Sequence, residues 1–310
     1  MSPEIRWPDG TRFAFTVFDD SDWTTLENGP PVYDFLRDLG FLTTKSVWPI
    51  TGESTPSIGG STCDDPAYLA WVHRLQGEGF EIALHNVTYH SSERKDIIRG
   101  LEAFRDHFGA DPKCHANHHD CMDSLYFGAA RLGGLRRIIY NLLTISKDRR
   151  GFSGHREESA YFWGDLCKER VSYVRNFVFS DVNTLRACPV MPYHDPLRPY
   201  VRNWFASSEG SRVDSFTRML REENQDRLEE EGGLCIMYTH FGSGFFQEGR
   251  LDPRFVDLMT RLSRKKGWFA PVSAVLDHVL DTRGPRQITA AERRRLEWKW
   301  LLEKVRSGTT

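Results

Sequence analysis

Short apolar runs bounded by turn residues recur along the chain. Between them, apolar positions return every three or four residues. The first pattern predicts strands and the second predicts helices packed by one face. The strand candidates are Arg12–Phe18, Thr43–Trp48, Phe80–Leu84, Lys113–Asn117, Tyr173–Phe179, Val201–Ala206 and Leu234–Tyr238. The helices carry their own punctuation. Asp65-Pro66 supplies an N-cap and a first helical residue for a helix running to Gly77 or Gly79. Ser92 opens another, with Ile97, Leu101, Phe104 and Phe108 on one face and Gly109 as its stop. Phe216, Met219 and Leu220 mark a helix that ends at Gly232-Gly233. Asp252-Pro253 repeats the opening device ahead of Phe255, Leu258, Met259 and Leu262, with Gly267 as the stop.

Strands that alternate with helices predict an α/β fold with a mostly parallel sheet. The number of units favours a closed or nearly closed barrel of about seven strands over residues 1–285. The stretch Asn141–Gly164 is less regular and reads as an insertion or long loop. Beyond Pro285 the character changes. Thr289-x-x-Glu292 is a capping-box pattern. Trp298, Leu301, Leu302 and Val305 then fall on one face of a basic helix, so residues 286–310 are expected to pack on the barrel or to form a homo-oligomer contact.

Composition narrows the function. The chain has 310 residues, 41 Lys plus Arg against 43 Asp plus Glu, and a net charge of −2. Without a basic excess, a dedicated nucleic-acid binder is not expected. No apolar run approaches the ~18 residues of a membrane span. Met1 to Gly10 is polar and lacks the apolar core of a signal peptide, so the expected compartment is the cytoplasm. The six cysteines form no Cys-x-x-Cys pair, which argues for reduced thiols and against structural zinc.

Several apolar runs end in groups that carry chemistry. Phe15-Thr16-Val17-Phe18 leads into Asp19-Asp20, two like charges that a cation or a shared proton must relieve. Glu81-Ile82-Ala83-Leu84 leads into His85, and His90 follows five residues on. That spacing would put the pair on different faces of a helix, so they must converge from a strand end and its loop. Leu234-Cys235-Ile236-Met237-Tyr238-Thr239 ends at His240. In parallel α/β folds the carboxyl ends of strands face the active site. Two imidazoles and a carboxylate there make an open site for a divalent metal. His115, His118 and His119 crowd one short stretch, and Tyr193-His194-Asp195 forms a turn between two prolines. Either could contact substrate or be loop structure.

These residues, in this order, resemble the polysaccharide deacetylase superfamily, the carbohydrate esterases of the NodB-homology type. Trp7-Pro8-Asp9-Gly10-Thr11-Arg12-Phe13-Ala14-Phe15-Thr16 is similar to the run into that family's first strand. The resemblance spans roughly Trp7 to Leu280 and rests on the first, second and last motifs. It implies a distorted (β/α) barrel and a metal-dependent hydrolase that removes an acetyl group from an N-acylated sugar or a related amide. It casts Asp19 as catalytic base, His240 as general acid, and Asp20, His85 and His90 as ligands of a divalent ion. Zinc is the first expectation, with cobalt, nickel or manganese behind it, and His118 or His194 could replace His90. Two departures stand out. Four residues separate His85 from His90, where the family has three. The arginine of the third motif is replaced by His115-Ala116-Asn117-His118, so Asn117 or His118 takes its place, and His194 and Asp195 are further candidates for substrate contact. Hydrolysis of a non-sugar amide or cyclic ureide, and a catalytically impaired glycan-binding barrel, are the alternatives. No other partner than a small-molecule or saccharide substrate is implied.

Overall fold

A computed structural model describes residues 5–144 and 151–307 of the chain. Every residue of the strand Phe13–Asp19 (β1) is buried. A parallel strand covered on both faces must be apolar almost throughout, and Phe-Ala-Phe-Thr-Val-Phe meets that demand. Thr44–Val47 (β2), Glu81–Leu84 (β3), Cys114–His115 (β4), Tyr173–Phe179 (β5), Asn203–Ser208 (β6) and Leu234–Thr239 (β7) follow in sheet order, all parallel. Pairing of Ala14–Asp19 with Leu234–Thr239 closes the ring. The chain is thus an α/β barrel of seven parallel strands with a C-terminal helix. A hairpin, Phe246–Gln247 (β8) with Arg250–Leu251 (β9), follows the last barrel strand. Gly267–Phe269 (β10) then pairs with Phe13–Phe15, while β2 takes Phe18 and Asp19, so two strands share one edge of β1 and distort the barrel there.

The helix signals worked where the cap itself did. Asp65 accepts hydrogen bonds from the Ala67 and Tyr68 amides, and Asp252 from the Phe255 amide, opening the helices Pro66–Gly77 and Pro253–Ser263. Gly109 closes Arg94–Phe108 with φ of 76°, a conformation that favours glycine. Ser92 does not open that helix. Its hydroxyl meets Thr88 and its amide donates to Asp123, so the helix starts two residues later. Gly267 is likewise no helix stop but the first residue of β10. The expected helix around Phe216 is two, Val213–Met219 and Glu222–Glu230. The stretch expected to be irregular begins inside a helix, Leu135–Thr144. Residues 145–150 of that stretch lie outside the described residues, as do residues 1–4 and 308–310 of the two termini.

The C-terminal helix, Ala290–Ser307, has the capping box in place. Thr289 Oγ1 accepts from the Glu292 amide at 3.2 Å, and the Glu292 carboxylate accepts from the Thr289 amide at 2.9 Å. Its buried face differs from the expected one. Leu296, Glu297, Trp300 and Leu301 are covered, whereas Leu302 and Val305 face solvent. The reason is the neighbour. Trp300 stacks on Tyr140 at 5.8 Å and tilts against Phe177 of β5 at 5.5 Å. Buried Glu297 accepts from Arg136 at 2.6 Å, Arg198 at 3.2 Å and the Gly133 amide at 3.1 Å. This helix therefore braces the barrel wall made by β5. Among the described residues no helix is long and apolar enough to cross a membrane, and all six cysteines are buried and outside any disulfide.

Candidate active site

Successive side chains of a strand point to opposite faces. Asp19 and Asp20, at the end of β1, therefore cannot serve the same site. Asp19 turns away from the barrel interior. Its carboxylate meets the Lys45 ammonium at 3.0 Å and accepts from the Tyr33 hydroxyl at 2.9 Å and the Phe241 amide at 2.7 Å. Lys45 is its register partner on β2, and both side chains are fully buried. Burial raises the Asp19 pKa, and Lys45, Phe241 and Tyr33 pull it back only in part. Asp19, the expected catalytic base, is thus held in a buried ion pair and is not brought to the cleft that Asp20 lines. Asp20 turns inward and is gripped bidentately by Arg175 of β5, at 2.8 and 2.5 Å. Two residues on, Asp22 returns to the inner side.

Asp22, not Asp20, meets the histidines. Asp22, His85 and His118 form a buried group whose ligand atoms all lie within 4.8 Å of one another. His85 follows β3, and His118 sits in the loop after β4. Asn86, at a left-handed φ of 52°, accepts from the His118 amide at 3.0 Å and so ties the two loops together. His85 Nδ1 lies 3.0 Å from the Ala116 carbonyl, so that nitrogen carries the proton. Its Nε2 faces the Asp22 carboxylate, 3.0 Å away. His118 Nε2 is buried with no hydrogen-bond partner, 3.5 Å from the same carboxylate oxygen. Burial holds the His118 pKa down at about 4, so its imidazole is neutral. Two imidazole nitrogens and a carboxylate that converge on one buried point are a donor set that suits a divalent cation. These residues fit one.

His90 is not brought to this group. The Thr88 hydroxyl accepts from the His90 amide at 3.0 Å, and the ring turns out to the carbonyl of Ser54. The extra loop residue carries the second imidazole away, and His118 stands where it was expected. Trp48, fully buried, packs edge-on to His118 at 5.2 Å and against His85 at 5.8 Å, which fixes both rings.

His240, one residue past β7, closes the opposite side. Its Nδ1 donates to the Ser211 carbonyl at 2.7 Å, and its Nε2 lies 3.3 Å from Asp22 and 4.0 Å from Asp20. Burial works against its charge, but the hydrogen bond with Asp22 and the charges of Asp22 and Asp20 outweigh it and raise its pKa. For Asp20, burial is likewise outweighed, here by the charge and bonds of Arg175 with His85 and His240 beyond, and the carboxyl is held below its usual range. The site thus sets Asp20, whose charged carboxylate is favoured, across one cleft from His240, whose protonated form is favoured. Asn117, Arg131, Asn176 and Tyr238 line it further. The pairing of β5 with β6 slips between Arg175 and Val178, and this irregularity lets Arg175, Asn176 and Val178 all face the cleft.

The remaining candidates lie elsewhere or in other roles. Asn117 reaches the cleft, but its amide is engaged by Leu125 and His115. His194 bonds the Val201 carbonyl at 3.0 Å outside the cleft. Asp195 is held by Arg198 and Arg293 and anchors the C-terminal helix. Arg175 and Asp22 escaped the sequence reading. The signal for Arg175 was a lone guanidinium inside the apolar run Tyr173–Phe179, and the signal for Asp22 was its same-face spacing from Asp20.

Solved structures share this fold, two of them along nearly the whole chain. One is a Mycobacterium smegmatis protein described as a polysaccharide deacetylase, at TM-score 0.52 and 13% identity over 93% of this chain and 98% of its own. The other is Puue allantoinase, at TM-score 0.50 and 11% identity over 90% and 94%. No protein-family model matches the chain, and no curated protein does.

Proposed function

We propose that this chain is a divergent polysaccharide-deacetylase-type enzyme, a metal-dependent hydrolase that removes an acyl group, acetyl first, from an N-acylated sugar or related amide. The observation that carries the reading is the opposition of the Arg175-bound Asp20 and His240 around the Asp22–His85–His118 group. Those three residues would hold a divalent ion, zinc first and cobalt, nickel or manganese behind it. When bound, such an ion supplies Lewis-acid polarisation of an acyl oxygen and a water of lowered pKa. The chain's own groups account for the proton traffic. Asp20 takes a proton from the attacking water, and Arg175 keeps that carboxylate ionised and aimed. His240 gives its proton to the departing amide nitrogen, so that water and amide become acid and amine. Ser211 and Asp22 hold the His240 ring at both nitrogens, fixing its direction.

The test is acetate release from a panel of N-acetylated sugars, with cyclic ureides included, by protein loaded with zinc or cobalt. Acetate release from at least one sugar, abolished in Asp20→Asn, is expected. Ring opening of a ureide without any acetate release would overturn the sugar reading, and inertness of the loaded protein toward the whole panel would overturn the hydrolase.

A further inference from the structure

Helix Leu135–Thr144 presents an apolar ridge to solvent. Leu135, Ile138 and Leu142 recur at i, i+3 and i+7 and are 59%, 57% and 65% exposed, with Leu143 beside them at 55%. Large apolar residues scattered singly over a surface need no explanation, but a contiguous ridge does. The opposite face of the same helix is anchored. Tyr140 stacks on Trp300, and Arg136 is held by Glu297. The ridge is therefore outward by construction, not a frayed end.

The charge around it selects the partner. On this helix and its neighbour Ala290–Ser307, the exposed charged side chains among the described residues are Arg137, Arg294, Arg295 and Arg306, all cations. The neighbouring helix alone holds six Lys and Arg against three Glu, whereas the whole chain is net −2. A second copy docking by this face would set like charge against like charge. An apolar ridge on a helix whose own exposed charge and that of the helix packed against it are arginines is instead the pattern of a surface that lies on an anionic membrane.

We propose that helix Leu135–Thr144 seats the protein on an anionic lipid bilayer, with Leu135, Ile138 and Leu142 entering the acyl boundary and the exposed arginines meeting lipid phosphates. This inference does not depend on the proposed reaction. It does bear on where that reaction runs. Phe127 and Arg131, which line the cleft, lie just ahead of the helix, and Arg131 sits over Phe127 at 4.0 Å and against Trp300 at 5.4 Å. A docked protein would hold its cleft close to the headgroups, within reach of an acylated sugar on a lipid carrier.

The test is sedimentation of the full chain with vesicles of phosphatidylcholine alone or with about 30% phosphatidylglycerol. The wild type should pellet with the anionic vesicles only and be released by about 0.5 M salt. Ile138→Ser/Leu142→Ser changes exposed residues alone, so it should keep the wild-type melting temperature and bind the anionic vesicles at least tenfold more weakly. A wild type that stays in the supernatant overturns the proposal, as does a double variant that pellets equally well. So does a dimer that the double variant dissociates without any vesicle binding, which would assign the ridge to a second copy.

Discussion

Replacing Lys45 by Met tests whether Asp19 is structural. The Lys45–Asp19 pair is fully buried at 3.0 Å, and Lys45 is the only cation within that contact among the described residues. Removing one partner of a buried pair leaves an uncompensated charge and costs about 3–5 kcal/mol. For a chain of 310 residues that corresponds to a fall in melting temperature of roughly 5–8 °C. The pH dependence gives the sign. Burial already raises the Asp19 pKa, and losing Lys45 removes the largest opposing influence. The folded variant would then keep a proton that the unfolded chain releases above about pH 4. Its stability relative to the wild type should fall as pH rises toward the folded pKa, by up to about 1.4 kcal/mol per pH unit. Thermal melts followed by circular dichroism from pH 5 to 8 would show it, with the deficit smaller at pH 5. Asp19→Asn/Lys45→Met should recover much of the loss, because a neutral amide oxygen still accepts from the Phe241 amide. A variant that melts within about 2 °C of the wild type throughout, or with the same deficit at pH 5 and 8, would refute the reasoning.

Two predictions concern the chemistry. Asp20→Asn and His240→Ala should each lower kcat by about two orders of magnitude or more on the substrate found by the acetate assay, with the fold intact by circular dichroism. Because the acid must be protonated, wild-type kcat should fall as pH rises through the elevated His240 pKa, above the ordinary value of about 6.5. Arg175→Ala should move the acid limb of the kcat/KM profile to higher pH, since burial of Asp20 is then opposed only by the histidines. An acid limb that stays in place would remove Arg175 from its positioning role.

The barrel strands were legible because strands buried on both faces must be nearly all apolar, and their ends are marked by the first charged or imidazole group. Tyr173–Phe179 was bounded to the residue, and the others to within two. The roles at those ends were harder to read. Asp19 and Asp20 look equivalent in sequence, yet the two-residue alternation of a strand sends one to Lys45 and the other to the cleft. The same alternation carries forward to Asp22, although a turn already begins there. His85 and His240 were found because each follows an apolar run directly. His118 was visible only as part of a histidine cluster, since its place depends on Asn86 bridging two loops far apart in sequence. His90 is not brought to the group, because the extra loop residue and the bond of its amide to Thr88 turn its ring out to Ser54. The C-terminal helix was found by its capping box but misphased, because Trp300 and Glu297 had partners on Leu135–Thr144 and β5 that a single helix cannot reveal.

Metal content tests the central claim most directly. The wild type and the variants Asp22→Ala, His85→Ala, His118→Ala and His90→Ala would be loaded with zinc, desalted and measured by elemental analysis. Wild type and His90→Ala should retain about one ion per chain, and the other three should lose most of it. Uptake of no divalent ion by the wild type would contradict the account, and so would loss in His90→Ala with retention in His118→Ala.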